Sequence, residues 1–187
     1  MKFNRHYELQ GKHAFLSASN YHWLNYTQDR LVTYFYNMKK KEEGTALHAF
    51  ASMAISRNIK LARTKQAINQ FVNDAIGFRM DSEVVLVYSD NVFGTADAIT
   101  FKNGLLRIHD LKTGDGAVKF DQLDIYAALF CLEYDVDPLK IDIVERLYQG
   151  SGFTEVVPEK EAIKAIMDKI IEFDTVLTNL KLEEANA

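Results

Sequence analysis

The sequence predicts an α/β protein: a central mixed β-sheet flanked by helices, behind a helical N-terminal third. Three observations carry that expectation. Apolar residues recur at helical spacing up to about residue 80. The middle of the chain then alternates at the strand period around an Asn-Gly dipeptide, and the remainder runs helix, strand, helix. No internal repeat, low-complexity tract or Pro/Ser-rich linker divides the chain. It therefore reads as one domain over 1–187, with a helical part at about 17–80, a sheet-and-helix part at about 83–157 and a C-terminal helix at about 158–183.

Taken in order, Ser17 or Ser19 caps a helix through YHWLNYTQDRLVTYFYNMKKK. A second helix fits GTALHAFASMAISRN. A third follows Thr64 as its N-cap and places Ala67, Ile68, Phe71, Val72, Ala75 and Ile76 on one stripe. EVVLVYS then reads as a strand, Asp90-Asn91 as a turn, and VFGTADAITF and LLRIHDLK as two strands around Asn103-Gly104. FDQLDIYAALFCLEY is helical and ends before DVDP. A strand follows in KIDIVERLYQ, continuing through a GSG hairpin to FTEVV, and Pro158 opens a long amphipathic helix.

Composition narrows the classes. With 48% hydrophobic and 26% charged residues, the chain has the balance of a globular domain rather than a disordered or membrane one. The single cysteine, Cys131, excludes an internal disulfide and a four-cysteine zinc or iron–sulfur site. MKFNRHYELQGKHAF has no apolar signal-peptide region, and no run of about 18 apolar residues occurs, so a cytoplasmic protein without membrane segments is expected. The net charge of −4 lacks the basic imprint usual in nucleic-acid binders. Carboxylates that hold a divalent ion add formal negative charge which the ion offsets.

The chemistry concentrates in GTADAITFKNGLLRIHDLKTG, residues 94–114. A two-residue Asn103-Gly104 turn sets Phe101 opposite Leu106, Ile99 opposite Ile108, Asp97 opposite Asp110 and Thr95 opposite Lys112, all projecting from one face. Toward the turn that face is apolar, and at its open end it becomes abruptly polar. Two carboxylates directly opposite each other, with Cβ atoms about 5 Å apart, destabilise a sheet unless a cation lies between them. Such a pair is a hard-oxygen cage suited to Mg²⁺ or Mn²⁺. The plainer alternative is a sheet-edge salt bridge in which Lys112 neutralises Asp110, an arrangement that accounts poorly for two acids.

These residues also resemble the PD-(D/E)XK nuclease superfamily, in which an acid on the second strand precedes an acid-x-Lys triplet on the third. QLDIY, with Gln122 and Tyr126 one helical turn apart, resembles the Q-x-x-x-Y motif of its RecB-like branch. GTALHAF resembles the upstream helix carrying a metal-binding histidine, here His48, and FLSASNYHWLN is similar to the opening of many phage and bacterial members. The resemblance covers residues 14 to 150. It implies a restriction-endonuclease-like core and a metal-dependent DNA nuclease, an exonuclease or a DNA-end or single-strand processing enzyme of recombination or repair. It further implies Mg²⁺ or Mn²⁺ as cofactor and DNA, single-stranded or with duplex ends, as partner. The cysteines of iron–sulfur relatives are absent, so no such cluster is expected. No helicase motif is present, so unwinding falls to a helicase or recombination partner. A non-cleaving nucleic-acid or protein-binding regulator on the same fold is the alternative.

Under that resemblance Asp97, Asp110, the Leu111 carbonyl and His48 ligate the metal, in a one- or two-metal arrangement. Lys112 orients the attacking water or helps deprotonate it. Gln122 and Tyr126 contact the DNA backbone or brace Lys112. For each a plainer reading stands beside this one: His48 as a core histidine, Gln122 and Tyr126 as a polar surface patch. Glu83 reads as the solvated end of the first strand and His109 points away from Asp110. Cys131 and the aromatic row Tyr21, Trp23, Tyr26, Tyr34, Phe35 and Tyr36 read as core.

Overall fold

The computed structural model of the protein describes residues 14–17, 21–114 and 116–185. Among the described residues four α-helices and five strands follow the expected order, except that one helix stands where two were expected at the start: α1 (Gln28–Ser56), α2 (Ala67–Phe78), β1 (Asp81–Ser89), β2 (Val92–Lys102), β3 (Leu105–Lys112), α3 (Asp121–Glu133), β4 (Asp142–Gln149), β5 (Gly152–Val156) and α4 (Lys160–Ala185). The strands form one mixed sheet in the order β1-β2-β3-β4-β5. Only β3 and β4 are parallel, because α3 carries the chain back over the sheet between them. No helix among the described residues is long and apolar enough to cross a membrane.

The chain separates into two compact units, Met1–Glu43 and Gly44–Ala187, and the division falls inside α1. In the second unit two apolar clusters cover the two faces of the sheet. On one face Ala51, Ala54 and Ile55 of α1 and Phe71, Val72 and Ala75 of α2 pack with Ala98, Leu111 and Tyr148. On the other, Leu123, Ala127 and Leu129 of α3 and Ile163 and Ile170 of α4 pack on Leu86, Ile99, Leu106, Ile108, Ile143 and Leu147. α3 is buried on nearly every side between the sheet and α4, so its apolar residues form no single stripe.

Two helices were expected from Ser17 or Ser19 to Asn58; one continuous α1 replaces most of that span, and Ser19 lies outside the described residues. Gly44 does not break the helix, although glycine is a weak helix former. It is buried against Thr113, whose Oγ1 would lie 2.7 Å from a Cβ at position 44. Nor does Thr64 occupy the N-cap of α2, which falls to Gln66; the Thr64 hydroxyl accepts from the Gln66 N–H and the Asn69 amide instead. In the first unit the aromatic row is not buried as expected. Phe15, Tyr26, Tyr34, Phe35 and Tyr36 meet ring against ring, and Tyr36 stays 60% exposed.

Two buried ionisable groups set the pH response of the core. His109 lies between Phe78 and Tyr148, and its Nδ1 donates to the Tyr148 hydroxyl, which in turn donates to Asp74. Burial, reinforced by Arg146 and Arg107, lowers its pKa to about 3. Glu145 on β4 is fully buried, neither carboxyl oxygen has a hydrogen-bond partner, and burial next to Asp124 raises its pKa to about 8. The folded state thus binds fewer protons than the unfolded one at His109 below pH 6.5, and more at Glu145 above pH 4.5. Stability is therefore lost as pH falls below that window through His109 and as it rises above it through Glu145. Thermal melting across the pH range should show a plateau between pH 4.5 and 6.5, with a decline on each side. Glu145→Gln should remove the alkaline decline and turn the plateau into a continued rise up to pH 6.5 set by His109 alone, whereas an unchanged alkaline limb would mean that Glu145 ionises freely in the folded state.

Candidate metal centre

The hairpin register holds where the core face is apolar. Phe101 pairs with Leu106, Ile99 with Ile108 and Ala98 with His109, around a turn whose Asn103 and Gly104 both have positive φ. The ladder stops there, so Asp97 is not in a paired position opposite Asp110 as expected. Thr95 pairs with Val85 on β1 and is exposed rather than lying across from Lys112.

The cause is a local reversal of side-chain alternation. Ser82 pairs with Ala98 and Val84 with Ala96, but no pair forms at Glu83 and Asp97 between them. Glu83 takes the left-handed conformation, with φ of 53°. On one side of this row, Ser82 hydrogen-bonds Ser52 of α1 at 3.0 Å and Ala98 joins the α1/α2 cluster. On the other side, Val84, Leu86 and Ala96 pack on the α3 face. Regular alternation would have kept Ser82 with Val84, and Ala98 with Ala96. A left-handed non-glycine residue costs of order 1–3 kcal/mol, and such positions gather at functional sites.

The reversal turns both carboxylates toward α1. Asp97 Oδ1 lies 3.2 Å from His48 Nδ1, and Oδ2 accepts the Leu111 N–H at 2.8 Å, taking the place of a ladder carbonyl. Glu83 completes the group: donor atoms of His48, Glu83 and Asp97 all lie within 4.8 Å of one another. Thr45, His48, Ser52, Met53, Arg57 and Glu83 line the groove in front of it.

Asp110 and Lys112 project toward α3. Lys112 Nζ lies 3.2 Å from Asp110 Oδ1, 2.9 Å from Oδ2 and 2.6 Å from Gln122 Oε1, and Gln122 Nε2 donates to the Tyr126 hydroxyl at 2.8 Å. Gln122 thus uses one amide to join Lys112 and Tyr126, as its i,i+4 spacing on α3 permits. Gly94 makes room for this: a Cβ there would approach Tyr126 Cε1 to 2.9 Å.

The electrostatics of the site are set by burial and by the crowding of its acids. Asp110 is 2% exposed, and Oδ2 has an ion-pair neighbour in Lys112 but no hydrogen bond. Burial first, and Asp97 second, raise its pKa, against the opposing pull of Lys112. Burial and Asp97 likewise raise Glu83. The hydrogen bond to Asp97 raises His48, against its own burial. Three acids crowded on adjacent strands, one of them buried with a single lysine as its cation, together with an imidazole, are a donor set suited to a divalent cation. Among the ligands implied by the resemblance, His48 and Asp97 come together here. Asp110 instead pairs with Lys112, and Leu111 offers its N–H to Asp97. Glu83 is the member that sequence reasoning set aside. Comparison with known proteins returned no matching family model, curated protein or solved structure.

Replacing Glu83 separates strain from ligation. Asn tolerates the left-handed region, so Glu83→Asn should raise the melting temperature without added metal by a few degrees. The same change should weaken Mn²⁺ binding in calorimetry on the order of tenfold or more. Undiminished affinity would remove Glu83 from the ligand set.

Proposed function

We propose that this protein is a divalent-metal-dependent nuclease that hydrolyses phosphodiester bonds of DNA, built on a restriction-endonuclease-like core. The observation that carries the proposal is the junction at β3. Asp110, buried with both oxygens against Lys112 Nζ, shares that ammonium with the Gln122–Tyr126 pair of α3, one strand from the His48–Glu83–Asp97 group. A structural salt bridge needs one acid and one base; it does not need two further acids and an imidazole alongside.

In this reading His48, Glu83, Asp97 and Asp110 would hold Mg²⁺ or Mn²⁺, with the Leu111 carbonyl as a further ligand. The ion supplies water activation and neutralises charge at the phosphate. Lys112, held by Asp110 on one side and Gln122 on the other, presents a cationic N–H where the attacking water must be oriented and where negative charge builds on phosphorus oxygens. Its rigid placement lowers the reorganisation needed at reaction. Gln122, positioned by the Tyr126 hydroxyl, keeps Lys112 from collapsing fully onto Asp110, and Gly94 admits the Tyr126 ring. Gln122 and Tyr126 are thus positioning residues. A DNA-end or single-strand processing role in recombination or repair, with a helicase or recombination protein as partner, follows from the resemblance of the motifs.

The test is digestion of end-labelled single-stranded and linear duplex DNA, and of internally labelled circular DNA, with Mg²⁺, Mn²⁺ or EDTA. Metal-dependent cleavage of the linear substrates is expected, with the circles left intact if the enzyme requires ends. Asp110→Asn should abolish cleavage. Lys112→Ala should reduce it by about 10²-fold or more while Mn²⁺ still binds. A wild type that binds DNA but cuts nothing with either ion would turn the assignment to a non-cleaving binding protein.

A further inference from the structure

The loop between α1 and α2 carries Arg57, Lys60, Arg63 and Lys65, with no acid among residues 57–66, in a chain of net charge −4. Among the described residues none of these four side chains forms an ion pair. Unpaired cations this close together repel one another, so their placement has to be held by something else.

It is held by α2. The Asn73 amide clasps Leu61 at both ends of its peptide unit, accepting from Leu61 N–H at 2.9 Å and donating to its carbonyl at 3.0 Å. The Asn69 amide donates to the Ala62 carbonyl at 3.0 Å and the Thr64 hydroxyl at 2.9 Å, and the Gln70 amide to the Lys65 carbonyl at 2.8 Å. Three neutral side chains therefore fix the loop backbone, and its shape makes no demand on its charges. The cations are left facing outward.

Lys60, Arg63 and Lys65 line a groove of about 880 Å³ together with Thr64, Gln70 and Ser151. Its one acid, Asp74, is already engaged by Arg146 at 2.9 Å and Tyr148 at 2.8 Å. At the head of the loop, Arg57 lines the groove that contains His48 and Glu83. The basic run thus has its first cation in the groove that also holds His48 and Glu83.

We infer that the α1–α2 loop is a track for the phosphodiester backbone, gripping the nucleic-acid strand whose scissile bond lies at the metal centre. The inference rests on the nuclease reading and adds to it where the strand runs. Free cations paired with hydroxyl and amide donors suit phosphate and sugar contacts, which position a strand without reading its sequence. An acidic protein segment would match the charge but would have no reason to share a groove with His48 and Glu83.

Fluorescence anisotropy of labelled single-stranded and duplex oligonucleotides of unrelated sequence, over a salt series, tests the inference in the cleavage-deficient Asp110→Asn background. Lys60→Ala/Arg63→Ala/Lys65→Ala should weaken binding at least about tenfold for every sequence. It should also flatten the slope of log affinity against log salt by about 2, given roughly 0.7–0.9 per phosphate contact. Charge-retaining Lys60→Arg/Lys65→Arg should keep both affinity and slope, which guards against a folding defect in the triple variant. Unchanged affinity and slope in the triple variant would overturn the inference and leave the nuclease reading intact. Absence of oligonucleotide binding before any loop substitution would overturn both. Equal or tighter binding of polyglutamate would reassign the loop to an acidic protein partner and overturn the nucleic-acid track.

Discussion

The site depends on one backbone event, the reversal of alternation at Glu83 and Asp97. In the observed register, without the reversal, these residues would sit side by side in the ladder, each side chain normal to the sheet and like charges opposed. Here the left-handed Glu83 and the unpaired Asp97 give up that pair. In exchange the Asp97 carboxylate takes over a ladder function by accepting the Leu111 N–H, which ties β2 to β3 through a side chain. The cost of the conformation is met by the clusters on both faces, which need Val84 and Ala96 on the α3 side and Ala98 on the α1/α2 side. The core and the cluster of acids therefore constrain the same row of residues.

Around that row, close approaches are purchased by missing side chains. Gly44 lets Thr113 meet α1 near His48, and Gly94 lets Tyr126 reach Gln122. Both glycines have ordinary φ, so their value is space rather than conformational freedom. Each sits in a segment that also carries a site residue, GTALH and GTAD. The glycine–threonine pairs are thus geometrically tied to the chemistry next to them.

Much of this was legible in the sequence because periodicity reports which face is buried. The order of strands and helices, the Asn103-Gly104 register as far as Ala98, and the placement of Asp110 and Lys112 away from His109 all follow from alternation and a two-residue turn. The Gln122–Tyr126 contact follows from helical spacing. The role of Glu83 did not follow, for a specific reason. A two-residue Asp90-Asn91 turn with regular pairing would set Ala98 opposite Glu83. A bulge at Tyr88, between the Val87 and Ser89 pairs, shifts the register by one and brings Asp97 there instead. EVVLVYS is apolar at both parities, so neither the bulge nor the face reversal leaves a mark in its pattern. Gly44 misled for a related reason: what it contacts is distant in sequence.

If the reversal sets His48, Glu83 and Asp97 to share a divalent ion with Asp110, crystals of the full chain soaked in Mn²⁺ will show it in an anomalous difference map. A peak bounded by the His48 imidazole and the Glu83, Asp97 and Asp110 carboxylates, with Glu83 still left-handed, is the expected result. Regular alternation through Glu83 and Asp97, or Mn²⁺ bound elsewhere with these carboxylates empty, would contradict the account.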